Sequence, residues 1–131
     1  MKNRIALIIS ILLIAGTINT LSAQAWIFLG SAKVHGAGVD HDEIVVTAIR
    51  GEFSAIKLFV ENEGIEFEHV VVHFANGGQT ELNIRDFIPA GGETRVLDLP
   101  GRDRIIRKVD FYYKSNPLTK TKGKVKLFGR R

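Results

Sequence analysis

Ile65-Glu66-Phe67-Glu68-His69-Val70-Val71-Val72-His73-Phe74, followed at once by Ala75-Asn76-Gly77-Gly78, is the stretch that decides the fold. Val70, Val72 and Phe74 fall on one side of an extended chain, and His69, Val71 and His73 fall on the other. Apolar residues at every second position describe a strand buried on one face, because successive strand side chains point to opposite sides of the sheet. Asn76-Gly77 supplies the backbone freedom that a tight hairpin turn needs. A half-buried strand closed by such a turn belongs to an antiparallel sheet.

The same alternation recurs on either side. Ile56, Leu58 and Val60 share a face in residues 53–61, with Lys57 and Glu61 opposite. Val109, Phe111 and Tyr113 alternate with Asp110, Tyr112 and Lys114, and Val125 and Leu127 alternate with Lys124, Lys126 and Phe128. Further strands are expected over residues 26–34, 43–49, 80–84 and 94–99. Pro89-Ala90-Gly91-Gly92 and Pro100-Gly101 mark turns between them, and Gly36-Ala37-Gly38 opens a loop that runs to Asp42. Short strands spaced by about 8–12 residues predict an all-β fold. We expect an antiparallel β-sandwich, jelly-roll-like, of about eight strands; a closed barrel is the alternative.

The first residues read differently. Met1-Lys2-Asn3-Arg4 is basic, residues 5–18 are almost wholly apolar, and Ala23-Gln24-Ala25 offers small residues at a cleavage point. The apolar run falls short of the roughly 20 residues that span a bilayer. The pattern predicts a signal-peptide helix over residues 1–25, followed by a β-sandwich domain over residues 26–131 with a periplasmic or extracellular address. Cleavage after Ala23 and an uncleaved signal anchor are the competing readings. The chain has no cysteine, so neither a cysteine-linked lipid nor a disulfide is available.

Charge is divided unevenly. Residues 26–100 hold five basic and twelve acidic side chains, whereas residues 101–131 hold eleven basic and two acidic ones. Lys120, Lys122, Lys124 and Lys126 occupy alternate positions, so in a strand all four leave one face about 6.6 Å apart. Two readings compete. Lysines on a terminal edge strand keep it from pairing with other chains. Alternatively, the row is a ladder for an anionic envelope polymer or lipid head groups.

Other candidates are weaker. Asp40 and Asp42, in Asp40-His41-Asp42-Glu43, are the nearest approach to a Ca²⁺-type loop, without the EF-hand register. His69 and His73 stand about 13 Å apart on a strand, too far to share one ion unless another strand donates between them. Glu61, Glu63, Glu66 and Glu68 crowd one hairpin region and read as a solvated acidic surface. No serine stands in a nucleophile elbow, neither Gly-Gly pair opens a helix that holds phosphate, and no catalytic residue or cofactor is indicated.

Trp26-x-x-Leu29-Gly30, Phe53-x-x-Ile56-x-Leu58-x-Val60, Phe74-Ala75-Asn76-Gly77, Ala90-Gly91-Gly92-Glu93-Thr94-Arg95 and Leu97-Asp98-Leu99-Pro100-Gly101 occur together over most of residues 26–131. Together they resemble small secreted bacterial proteins of unknown function. The resemblance implies a secreted β-sandwich and assigns no site. The reading as a whole is a non-enzymatic exported envelope protein, a binding or structural module. The alternative is a small enzyme or a sugar-binding module built from separated carboxylates and aromatics, in which residues near Trp26, Tyr112 and Tyr113 line a stacking surface; Tyr112 is expected to face outward and Tyr113 the core, so Tyr112 is the stacking candidate. Mass spectrometry of the protein from its native host is expected to show a chain beginning at Trp26 or Gln24. An intact chain of residues 1–131 in the cytosol would contradict the export reading.

Overall fold

The computed structural model describes residues 25–35, 40–47, 50–101, 104–114 and 123–131. Residues 1–24 of the expected signal segment lie outside the described residues, as do Lys120 and Lys122. The described residues form nine strands: β1 (Ile27–Lys33), β2 (His41–Val45), β3 (Glu52–Phe53), β4 (Ala55–Glu61), β5 (Ile65–Phe74), β6 (Gln79–Ile88), β7 (Leu97–Asp98), β8 (Arg104–Tyr113) and β9 (Lys124–Arg130). Sheet 1 has the order β1-β9-β4-β7; sheet 2 has the order β2-β8-β5-β6, with β3 pairing β8. Every ladder is antiparallel. With the two-residue β3 set aside, the chain alternates between sheets as a jelly roll does, and only β5 and β6 are consecutive neighbours in one sheet. Asn76-Gly77-Gly78 makes that hairpin: Gly77 takes φ 89° and Asn76 Oδ1 accepts the Gly78 N–H at 2.9 Å.

The inner faces carry the residues that the alternation selects. Ile56, Leu58, Val60, Val125 and Leu127 from sheet 1 meet Ile44, Val70, Val72, Phe74, Val109 and Phe111 from sheet 2, all fully buried or nearly so. Burying such a side chain contributes roughly 1.5–3 kcal/mol, so this layer is the main stabilising term in a chain without disulfides. Gly129 lets β9 pass close beneath the core: a Cβ there would lie 2.7 Å from Phe53 and 2.8 Å from Leu29.

Three departures from the sequence reading have local causes. Residues 53–61 are not one strand, because the chain changes sheets at Ser54. The Ser54 N–H and hydroxyl both donate to the Arg130 carbonyl, at 2.8 and 3.2 Å, and the Ser54 carbonyl accepts the Leu99 N–H. Residues 94–99 form only a two-residue ladder. There Thr94 is buried and bonds Leu58 through both its backbone N–H and its hydroxyl. β6 extends to Ile88, beyond the expected residue 84, and its free edge is covered by Arg95, which donates to the carbonyls of Asn83 and Ile84.

The largest correction concerns the C-terminal strand. β9 is not an edge. It pairs β1 from Ile27↔Gly129 to Lys33↔Lys124, and pairs β4 from Ala55↔Arg130 to Glu61↔Lys124. Its lysines therefore do not protect an open edge. Phe74→Ala, which removes a fully covered ring from the inner face, is expected to cost about 3–5 kcal/mol in urea unfolding; a loss below about 1 kcal/mol would contradict this packing.

Candidate functional site

The outer face of sheet 1 is a grid of basic and aromatic side chains. Cross-strand register sets Lys33, Lys124 and Glu61 in one row, Ser31, Lys126 and Phe59 in the next, and Phe28, Phe128 and Lys57 in a third. Arg130 follows at the end, beside Trp26. The Lys57 ammonium sits 4.4 Å from the Trp26 ring centre and the Arg130 guanidinium 5.1 Å from it. Phe28 and Phe128 meet edge-on at 5.7 Å, with Phe28 left 43% exposed. Glu93 pairs with Lys57 at 3.0 Å, and Glu61 pairs with Lys126. Five cations thus face two carboxylates across three adjacent strands. Of the predicted lysine row, Lys124 and Lys126 stand on this face. The sequence reading missed what joins them, because Lys33, Lys57, Phe28 and Phe59 come from two strands distant in sequence.

The outer face of sheet 2 is polar and differently organised. Tyr112 stands between His41 and His69, ring centres 4.7 and 4.4 Å apart and nearly parallel. Tyr112 does point outward, but both faces of its ring are covered by imidazoles, so it offers no stacking surface. Asp110, one row along β8, is only 7% exposed. His73 Nε2 bonds its Oδ2 at 2.8 Å, His41 Nε2 approaches its Oδ1 at 3.4 Å, and the Lys108 ammonium lies 3.9 Å from Oδ2 while pairing with Glu43. A carboxylate buried this far needs partners for its oxygens; Oδ2 has one in His73, whereas Oδ1 and the His41 Nε2 beside it form no hydrogen bond. β8 donates Asp110 and Tyr112 between the histidines of β2 and β5, yet among the described residues no three His, Asp or Glu side chains are placed to hold a metal ion.

Asp40 and Asp42 do not act together. Asp40 is exposed, and its carbonyl accepts the Tyr113 N–H at 3.0 Å. Asp42 is buried: the Tyr113 hydroxyl donates to its Oδ2 at 2.7 Å, the His35 N–H donates to the same oxygen at 3.2 Å, and the His35 ring bonds Oδ1. Asp42 thus ties the end of β1 to β8. Alternation missed it because His41-Asp42-Glu43 is polar throughout, although Asp42 shares the inward side with Ile44.

Beside this polar face, β5 loses its alternation between Phe67 and His69, and the pairing on β6 jumps from Asp86 to Asn83. A groove of about 550 Å³ opens there, along Glu66, Phe67, Glu68 and His69 on one side and Glu81, Asn83 and Arg85 on the other, with Lys114 at its end.

The fold matches solved structures at low sequence identity. AlgX of Pseudomonas aeruginosa matches at TM-score 0.53 and 12% identity, over 83% of this chain and 28% of AlgX. The module CpGH89CBM32-4 of Clostridium perfringens matches at TM-score 0.44 and 10% identity, over 76% of this chain and 93% of the module. A family 29 carbohydrate-binding module complexed with cellohexaose matches at TM-score 0.35 and 10% identity, over 83% of this chain and 79% of the module. No curated protein sequence matches. Residues 6–129 match a domain of unknown function, DUF2541, and with nearly the whole chain so matched the protein belongs to the DUF2541 family.

Proposed function

We propose that the protein is a non-enzymatic exported envelope module that binds an extended anionic glycan across the outer face of sheet 1. One observation carries this reading: Lys33, Lys57, Lys124, Lys126 and Arg130 alternate there with Trp26, Phe28, Phe59 and Phe128 over three neighbouring strands. Successive outward residues on a strand are about 6.6 Å apart and neighbouring strands about 4.8 Å, a spacing that lets one linear polymer meet several cations. The aromatic rings accept the C–H faces of sugar rings between the charges. Glu61 and Glu93 hold Lys126 and Lys57 upright until a polyanion displaces them. Signal cleavage after Ala25 would add the new α-ammonium at Trp26, at the end of the same face.

Each exposed ion pair contributes only about 0.2–1 kcal/mol, so the face works by summation. Co-sedimentation with a polyuronate is expected to retain the protein at low salt and release it at high salt, because each neutralised charge frees a counterion. Replacing Lys57, Lys124, Lys126 and Arg130 together with Gln is expected to weaken retention by about 1–4 kcal/mol, at least roughly fivefold, without lowering the melting temperature appreciably. Trp26→Ala is expected to weaken glycan retention but to leave any retention by anionic vesicles unchanged, which separates a glycan from lipid head groups. No retention at low salt, or full retention of the fourfold variant, would overturn the reading.

A further inference from the structure

The groove on sheet 2 lies on the opposite side of the sandwich from this basic face, and its chemistry is different. It owes its existence to one irregularity. In β5 the burial pattern runs inward at Phe67, outward at both Glu68 and His69, and inward again at Val70. Two consecutive side chains therefore leave the same face, as a β-bulge arranges. Across the gap Arg85 takes φ 47°, a left-handed conformation unusual for a side chain of its size.

Most of the polar heads that line the groove are planar and two-pronged: the carboxylates of Glu66, Glu68 and Glu81, the amide of Asn83 and the guanidinium of Arg85. Their hydrogen-bonding capacity is largely unspent. Lys114 lies 3.6 Å from Glu66 and His69 lies 3.4 Å from Glu81, and among the described residues the side chains of Glu68 and Arg85 have no partner. The acids are nearly offset by Arg85 and Lys114, so the groove does not select a strongly charged ligand of either sign. Phe67 itself points into the core, and the apolar surface beside the groove is Phe87, paired with Glu66 on β6, whose ring is 58% exposed at the margin.

The geometry points to a second binding site, for an uncharged, hydroxyl-rich saccharide unit. A carboxylate accepts from two vicinal hydroxyls, a guanidinium or amide donates to two neighbouring oxygens, and the Phe87 rim suits the C–H face of a pyranose. The volume falls within the range of about 300–1,000 Å³ typical of small-ligand sites. This site stands independently of the polyanion face. Where both operate, the sandwich holds two polymers on opposite sides and acts as a brace between them.

The test is a titration of the ¹⁵N-labelled protein with cellohexaose, maltohexaose and chitohexaose, each to about 10 mM, where even a millimolar site fills. At least one is expected to shift the amides of residues 66–69, 81–85 and 114 saturably. Arg85→Ala and Glu68→Ala are each expected to weaken that binding about tenfold or more at unchanged melting temperature. The fourfold Gln variant of sheet 1 is expected to bind the hexasaccharide as the wild type does, so failure of one site is distinguishable from failure of the other. The proposal is overturned if none of the three sugars moves these amides, if spermidine moves them and the sugars do not, or if both groove variants bind unchanged.

Discussion

The structure depends on β9 being hydrogen-bonded along both of its edges. Six of its seven residues pair with β1 and all seven pair with β4, so the last strand of the chain closes sheet 1 from the inside. A one-residue slip would turn Val125 and Leu127 outward and Lys124 and Lys126 into the core. Flanking ladders and the burial of Val125 and Leu127 exclude that slip together. The same constraint gathers the basic side chains of β9 with those of β1 and β4, so the face is a consequence of topology rather than of any local motif.

The two outer faces handle charge in opposite ways. On sheet 1 the cations outnumber the acids and remain at least partly exposed. On sheet 2 Asp110 is bracketed by His41, His73 and Lys108, and on the inner side of the same sheet Asp42 is held by His35 and Tyr113. Buried carboxylates cost free energy unless their oxygens are occupied; both oxygens of Asp42 are, which ties β2 to β8, whereas Asp110 is hydrogen-bonded through Oδ2 alone. At the β5 bulge, where the ladder opens, the side chains of Glu68 and Arg85 stand exposed without partners among the described residues.

Much of the fold was legible because period-two alternation is strong in β4, β5, β8 and β9; Ile56, Leu58, Val60, Val70, Val72 and Phe74 are buried as that alternation requires. The jelly-roll expectation holds in both sheet orders. Strand order itself was not legible, and without it Lys124 and Lys126 read equally well as an edge or as a face. The corner at Ser54 was hidden because Phe53, Ala55 and Ile56 are all apolar and read as continuous strand. The groove had no signal at all. Glu68 and Arg85 come together because β5 shifts phase and its register against β6 moves by one residue, and nothing in either sequence segment announces the shift.

The central claim, that the basic C-terminal strand is an interior strand whose lysines form a face, is tested most directly by amide hydrogen exchange across β9. In an interior strand every backbone N–H is hydrogen-bonded, alternately to one neighbour and the other, and local opening requires both ladders to part. The account predicts that consecutive amides from residue 124 to residue 130 exchange slowly, at rates like those of β4. Fast exchange at every second amide, with protection only at those facing β4, would mark β9 as an edge and contradict the account.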